Sequence, residues 1–270
     1  MQIALVGPGS AGQALALAAR AAGHEVVAVA ARDPGRAQRV ARTFGAVALG
    51  IGDPLPPVDL VAIAVVDDAI VDVADAVAPV ARNAAAAAVH LSGATPLSAL
   101  AAIEREGIPI GAFHPLQTLP DPTRGARALP GSWIAVTASE PLRSALHGLA
   151  ASMGCRPFDL ADEHRVVYHA AASAMANFPI AALAIAERLA EQAELPFEAA
   201  RPLVESVVVN VFADGPGQSL TGPIARGDTA TVAAQVAAVH ASVPGLAEAF
   251  EAMVQATTIV ASMAQNGGGG

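Results

Sequence analysis

Hydrophobic and polar positions in the first half of the chain alternate between short apolar runs and longer stretches with helical spacing. The apolar runs predict strands at 3–6, 25–30, 46–48, 60–65, 87–91, 108–113 and 133–137. The stretches between them predict helices at about 10–22, 34–44, 69–81 and 96–105. A further helix is predicted at about 140–153 and a short edge strand at 156–160. This alternation is typical of a parallel sheet with helices on both faces.

From residue 162 onward the helical spacing continues with almost no strand signal. Helices are predicted at about 163–192, 197–212, 229–242 and 245–264. We therefore expect an α/β domain over 1–160 and an all-α helical domain over 161–266. The glycines at 267–270 have no side chains to pack, and we expect them to form a disordered tail.

Composition narrows the classes of function. The chain is 54% hydrophobic and 14% charged, with a net charge of −9 and no basic stripe, which argues against nucleic acid or an anionic membrane as partner. The single cysteine, Cys155, cannot form an internal disulfide, and no Cys/His cluster has zinc spacing, so we expect no metal and a cytoplasmic location. The apolar stretch from Tyr168 to Ile185 is broken by polar residues and Pro179, which favours a buried core helix over a membrane span.

A glycine turn follows the first predicted strand. The motif is Gly7-x-Gly9-x-x-Gly12, and a helix pattern begins at Ser10. The first glycine makes the turn, the second lets a pyrophosphate approach the backbone, and the third lets the helix pack on the strand. The helix start offers free N–H groups to the phosphates. The pattern predicts a dinucleotide site formed by Gly7, Gly9, Ser10, Ala11 and Gly12.

The end of the second strand bears on the choice of dinucleotide. Arg32 lies about twenty residues after the glycine turn, where an NAD-binding protein carries an acid that binds the ribose hydroxyl. An arginine there suits the 2′-phosphate of NADP(H), and Arg36 is placed to assist. Asp33 is either the NAD-type acid or the N-cap of the next helix, which begins at Pro34. The placement of Arg32 favours NADP(H).

Three segments follow strands at the sheet edge where ligands bind in such folds. Val65 follows the fourth strand, and Ser92 and Gly93 follow the fifth, so we expect these small or apolar residues to contact the cofactor. His114 follows the sixth strand and is a candidate for proton transfer, with Gln117 as a substrate contact. The alternative is a loop histidine that orders the turn. His90 is interpreted as a core histidine.

The helical half carries further polar candidates. His169, Ser173 and Asn177 are spaced by four and share one helix face, which predicts a catalytic and substrate-binding stripe. The alternative is that they repair a kink at a nearby proline. Thr221 and Arg226 lie in a later polar loop, and the guanidinium is either a clamp for a substrate carboxylate or a plain surface group. The chain contains no lysine, so a lysine acid, base or Schiff base is excluded.

Several motifs together resemble a known family. They are the glycine turn, His-Leu-Ser-Gly-Ala at 90–94, Phe-His-Pro-Leu-Gln at 113–117, Tyr-His-Ala-Ala-Ala at 168–172 and Thr-Gly-Pro-Ile-Ala-Arg-Gly-Asp at 221–228. The set is similar to the uncharacterised Rossmann-like NADP oxidoreductases with a helical domain of unknown function. That family resembles pyrroline-5-carboxylate and ketopantoate reductases in layout. The resemblance implies an NADP-binding Rossmann domain, a helical dimerisation domain and an active site in the cleft between them.

The resemblance also leaves alternatives open. The hydroxyacid and ketopantoate branches use a helix lysine as proton donor, whereas this chain has His169 in the comparable region. His114-Pro115 partly resembles prephenate and arogenate dehydrogenases, but the following residues depart from their pattern. The leading hypothesis is an NADPH-dependent reductase of a small carbonyl or imine that carries a carboxylate, acting as a homodimer. The alternatives are an NADPH-binding sensor without turnover and a prephenate-type dehydrogenase.

Overall fold

An eight-stranded sheet organises the first part of the computed structural model, which describes residues 1–267. In spatial order the sheet reads β3-β2-β1-β4-β5-β6-β7-β8. The strands are β1 Gln2–Val6, β2 Glu25–Ala30, β3 Val47–Leu49, β4 Leu60–Ile63, β5 Ala88–His90, β6 Ile110–Leu116, β7 Trp133–Ala138 and β8 Arg156–Asp159.

Six α-helices connect these strands, and six more follow them. The connecting helices are α1 Ser10–Ala21, α2 Pro34–Phe44, α3 Ile70–Ala81, α4 Ala101–Arg105, α5 Pro122–Ala128 and α6 Leu142–Ser152. The later helices are α7 Arg165–Gln192, α8 Ala200–Asp214, α9 Pro216–Ser219, α10 Gly222–Ala225, α11 Thr229–Ser242 and α12 Ala247–Gly267. This arrangement confirms the predicted class, a Rossmann-type α/β region followed by a helical region.

Both faces of the sheet are covered by apolar side chains, which explains the continuous apolar runs in the sequence. One cluster includes Phe113 of β6, Ile134 of β7 and Leu146 of α6. A cluster on the opposite face includes Ile63 of β4 and Ile70 of α3. All of these side chains are fully buried.

Two strands, β7 and β8, run opposite to the other six, because β8 pairs parallel with β7. β7 pairs antiparallel with β6, whereas the other pairs in the sheet are parallel. A parallel return would need a crossover along the whole strand, but the segment between β6 and β7 contains only the short helix α5, which packs against α1. The chain therefore re-enters the sheet at the edge where β6 ends, and the predicted parallel sheet contains one antiparallel pair, β6–β7.

The chain divides into two compact units. The first is Met1–Ser173, and the second begins at Ala174. The first two turns of α7 therefore belong to the sheet unit, although the sequence places the domain boundary at residue 160, where β8 has just ended. Gly267 is the last residue of α12, and the rest of the predicted disordered tail, 268–270, lies outside the described residues.

The long helix α7 differs from its prediction. Its apolar window has a mean hydropathy of 1.4, but only 6% of that window is buried inside the chain. The expectation of a buried core helix is therefore wrong for the single chain, in which the apolar side chains of Met175, Phe178 and Ile180 are 62%, 62% and 63% exposed. By length and composition it is the one described helix that could cross a membrane, which is weak evidence for a membrane location.

Candidate functional site

A cleft of about 510 Å³ lies over the glycine turn. The cleft is lined by residues of the turn, of the β2–α2 connection and of the segment after β4, including Gly7, Gly9, Ser10, Ala11, Arg32, Arg36 and Val65. The first turn of α1 carries no acidic residue, and no side chain caps the helix. Its N-terminal N–H groups are therefore suited to an anionic ligand, as the phosphates of a dinucleotide require.

The three glycines of the turn have different steric surroundings. Gly7 has a φ of +85°, and a Cβ there would collide with Val65. A Cβ on Gly12 would lie 2.6 Å from the Cβ of Ala64, so only glycine lets α1 approach β4 this closely. At Gly9 the nearest atom to an added Cβ is the Ala64 carbonyl oxygen at 3.8 Å. A Cβ at Gly9 would meet no protein atom closer than that, so the backbone here is open to a ligand. The residues present therefore fit a dinucleotide.

The basic residues at the cleft have different roles. The exposed Arg32 lines the cleft and makes no salt bridge with any residue that the structure describes. Arg36 donates from Nε to the Pro8 carbonyl oxygen at 3.2 Å, so it also holds the glycine turn. Asp33 is the N-cap of α2 and accepts from the Gly35 N–H at 2.9 Å. The N-cap alternative for Asp33 is therefore confirmed, and its carboxylate also lies at the cleft.

Arg32→Ala is expected to weaken NADPH binding by about 10- to 100-fold, because a charge-assisted contact to the 2′-phosphate is lost. NADH binding should change by less than about twofold, since NADH lacks that phosphate. Titration of both nucleotides into both proteins measures the two ratios. Equal losses for NADPH and NADH would contradict the role of Arg32.

A second group of polar side chains lies in the same unit, where α7 begins. His114 Nδ1 is 2.7 Å from the phenolic oxygen of Tyr168, and their ring centroids are 5.5 Å apart. His114 lies inside β6, two residues beyond the last pairing with β5, and not in a loop after the strand. β4, β5 and β6 are parallel neighbours, so their carboxyl ends lie at one edge of the sheet.

Both partners of this hydrogen bond are neutral at neutral pH. Burial lowers the pKa of His114 to about 4, helped by the charges of His169 and Arg165 and opposed by Asp67. Burial raises the pKa of Tyr168 to about 12, opposed by the charge of Arg165. The phenol therefore keeps its proton, and the imidazole can accept or donate according to its tautomer.

Gly93 and His169 complete this group. A Cβ on Gly93 would lie 2.5 Å from His169 Nδ1 and 2.9 Å from His114 Nε2. Only a glycine therefore lets the loop after β5 approach the two imidazoles. His169 Nδ1 is buried and has no partner among the described residues. Gly93 was predicted as a cofactor contact, and the structure brings it together with both predicted histidines.

Arg165 ties the start of α7 to the loop after β5. Its fully buried guanidinium donates to the Thr95 carbonyl oxygen at 2.7 Å, to the Thr137 hydroxyl at 2.9 Å and to the Ser92 carbonyl oxygen. Asp162 adds a second tether, since its carboxylate accepts from the Leu97 N–H at 3.0 Å. The segment that carries Tyr168 and His169 is thus held against the loop that carries Gly93.

His90 lies fully buried at the end of β5, which agrees with the core interpretation. Neither ring nitrogen has a partner among the described residues. Burial lowers the pKa of His90 to about 3, and the charges of Arg165 and His114 act in the same direction. The ring is therefore neutral in the folded protein over the whole neutral and mildly acidic range.

This burial predicts a loss of stability in acid. Below a pH of about 6.5 the unfolded chain protonates His90 while the folded chain does not, so the free energy of unfolding falls by about 1.4 kcal/mol per pH unit from this group. The contribution is complete above pH 6.5 and is lost progressively toward the folded pKa of about 3. Urea unfolding between pH 7 and 4.5 should show a shallower slope for His90→Leu. His164→Gln, at an exposed histidine, is the matched control and should keep the wild-type slope.

The other predicted residues are placed as follows. Gln117 is exposed and is used within its loop, donating to the Ala128 carbonyl oxygen at 3.3 Å and accepting from the Thr118 N–H. Ser92 Oγ accepts from two N–H groups of its own loop. Ser173 is the last residue of the first unit, one turn beyond His169 on α7.

The remaining candidates lie in the second unit. They are Asn177 on α7, Thr221 before α10 and Arg226 after it, and both residues of the loop are exposed. Their roles stay predictions. Sequence reasoning did not select Arg165 or Tyr168, although Tyr168 is the only tyrosine of the chain, and that scarcity was the available signal.

Two family models match parts of the chain. Residues 2–101 match the family described as NADP oxidoreductase coenzyme F420-dependent, and residues 132–257 match a domain of unknown function, DUF2520. The matches confirm the predicted combination of an NADP oxidoreductase domain with a domain of unknown function, and NADP as the cofactor class. Tyr168 and Arg165 lie inside the second match, and His114 lies between the two. No curated protein matches the sequence.

Solved structures share the fold over nearly the whole chain. A protein from Bacteroides fragilis described as an NADP oxidoreductase is 23% identical, with 95% of this chain and 97% of that chain covered and a TM-score of 0.79. An imine reductase from Myxococcus stipitatus in complex with NADP+ is 16% identical, with 94% and 93% covered and a TM-score of 0.70. A 1-pyrroline-5-carboxylate reductase from Streptococcus pyogenes is 18% identical, with 97% and 98% covered and a TM-score of 0.60. At these identities the likeness establishes the fold.

Proposed function

We propose that this chain is an NADPH-dependent reductase of an imine or carbonyl substrate, in which Tyr168 and His114 act together as the proton source. The observation that carries the proposal is the 2.7 Å hydrogen bond between His114 Nδ1 and the Tyr168 hydroxyl. The family match of the N-terminal region to NADP oxidoreductases supports the cofactor, and the Myxococcus neighbour supports imines as one substrate class.

Tyr168 and His114 have different roles in the proposed proton transfer. When bound, NADPH supplies the hydride. In the productive tautomer, His114 Nδ1–H donates to the phenolic oxygen, which leaves the Tyr168 O–H free to donate to the substrate nitrogen or oxygen. As the phenol gives up its proton, Nδ1 passes its own proton to the phenolic oxygen and Nε2 takes one up from solvent, so that one solvent proton is consumed per turnover. The cation of Arg165 favours the transient phenolate, since it opposes the rise in the pKa of Tyr168.

This proton source suits a chain without lysine. A neutral phenol is a weak acid, so it serves best when the atom that it protonates is basic. An imine nitrogen is far more basic than a ketone oxygen and must gain a proton to be reduced to an amine, which favours an imine over a ketone.

The test of the function is NADPH oxidation against a panel of 2-keto acids and cyclic imines, followed by the loss of NADPH absorbance. We expect turnover with at least one cyclic imine. Tight NADPH binding with no turnover across the panel would favour an NADPH sensor and would overturn the proposal.

We also propose a homodimer formed through the second unit. None of the fifteen residues of α8 is buried, and its large side chains are exposed, including Phe212 at 86% and Leu203 at 68%. A helix that exposes this much apolar surface is normally covered by another surface. A second copy with the same helices would cover it, and sedimentation equilibrium measures the resulting mass.

A further inference from the structure

The strand register places a row of side chains beside His114. His114 of β6 pairs with Ala135 of β7, and Ala135 pairs with Phe158 of β8. The next row, two residues nearer the β7 start, holds Trp133 paired with Arg156. Residues directly opposite in neighbouring strands share a face of the sheet. Thus His114, Phe158, Trp133 and Arg156 lie on one face, with the small Ala135 between them.

Tyr168 of α7 lies on this same face. Its ring centroid is 5.5 Å from that of His114 and 6.0 Å from that of Phe158, so the ring sits above the alanine between them. Ala172 lies one turn after Tyr168 on the same side of α7, and its side chain is only a methyl group. The helix therefore provides no large side chain on this side in the turn directly after Tyr168.

The aromatic row continues to an exposed end. Trp133 contacts Phe158 edge-on, with centroids 6.1 Å apart, yet 47% of Trp133 remains exposed. The guanidinium of Arg156 lies 5.8 Å from the Trp133 ring centroid. Arg156 forms no salt bridge with any carboxylate that the structure describes. By contrast, Arg143 of α6, which covers the opposite face of the sheet, forms salt bridges with Glu140 and Asp159. This face therefore carries, in order, the proposed proton source Tyr168, the rings of Phe158 and Trp133, and the guanidinium of Arg156.

We propose that this face, formed by Tyr168, Phe158, Trp133 and Arg156, is the substrate subsite, and that it binds an apolar, ring-sized body whose carboxylate pairs with Arg156. The inference rests on the proposed function and names its substrate class. By strand geometry the backbones at His114 and Arg156 are about 12 Å apart, so a compact keto acid is too short to contact both ends. The substrate is an imine or ketone separated from its carboxylate by an apolar body.

Trp133 is the only tryptophan of the chain, so its fluorescence reports binding at this face without any turnover. The full chain, saturated with NADP+, is titrated with 3-phenylpropionate, with its neutral isostere 3-phenylpropanamide and with pyruvate. We expect the acid to change the Trp133 emission and to bind about tenfold more tightly than the amide, because a carboxylate–guanidinium contact is gained. Pyruvate should bind more weakly than either.

Arg156→Gln should abolish the preference for the acid over the amide, and Arg143→Gln, the matched control, should retain it. Equal affinity for acid and amide in the wild type, or an unchanged preference in Arg156→Gln, overturns the subsite. Emission that depends on protein concentration and not on the probe would identify the face as an interface between copies, which also overturns it.

The two proposals fail separately. If the probe binds as expected but no imine or ketone is reduced, the subsite stands and the reductase function fails. If compact keto acids are reduced with a KM that Arg156→Gln leaves unchanged, the function stands and the subsite fails.

Discussion

Tyr168→Phe is expected to lower kcat by about 10²- to 10⁴-fold, the usual range for loss of a general acid, while leaving the Kd for NADPH unchanged. The substitution removes only the hydroxyl that lies 2.7 Å from His114 Nδ1, and it keeps the ring that contacts Phe158. Because the phenol is neutral up to a pKa of about 12, the wild-type enzyme should keep its proton donor throughout the neutral range. Steady-state kinetics on the first active imine, with NADPH titration alongside, measures both quantities.

The partner residue provides the sharper control. His114→Gln should also lower kcat, and the double variant should be no slower than Tyr168→Phe alone, because the two groups act as one unit. Losses that multiply in the double variant would show independent roles. A Tyr168→Phe enzyme with wild-type kcat would eliminate the phenol as the proton source.

The glycine turn and the sheet could be predicted from local sequence, because their determinants are local. Gly7 needs a positive φ, Gly12 needs room against Ala64, and strand and helix spacing differ within a few residues. The direction of β7 was not predictable in this way. It depends on where the chain after β6 re-enters the sheet, and the apolar pattern of a strand carries no information about the strand's direction.

The candidate site was only partly predictable, for a related reason. His114 and His169 attract notice because histidine titrates near neutral pH, and the structure does bring them together, with ring centroids 5.9 Å apart. The contact that gives His114 a role spans 54 positions of sequence, to a tyrosine beside His169 on α7. No periodicity reports a contact at that separation. Arg165 was overlooked because an arginine is exposed by default, and only the fold shows this one to be fully buried.

Arg165→Met is expected to lower the free energy of unfolding by about 3–5 kcal/mol, because the carbonyl oxygens of Ser92 and Thr95 would stay buried without their donor. Methionine fills much of the volume but donates nothing. Arg165→Lys should recover little of the loss, since a single ammonium cannot reproduce the planar fork that reaches three acceptors. Urea unfolding of the full chain gives the values, with Arg42→Met at an exposed position of α2 expected to change stability by less than about 0.5 kcal/mol.

The charge of Arg165 has an effect on the pKa of His114 that can be measured separately from its effect on packing. Burial is the main cause of the low pKa of His114, and the charges of His169 and Arg165 add to it, so removal of Arg165 should raise that pKa part of the way from about 4 toward the ordinary value for histidine. The folded Arg165→Met protein would then protonate His114 at a higher pH, and the acid limb of its rate profile should move upward. A buried cation that served packing only would leave that limb in place. A pH–rate profile that shifts together with the loss of stability would therefore show that Arg165 both holds the loop after β5 and contributes to the low pKa of His114.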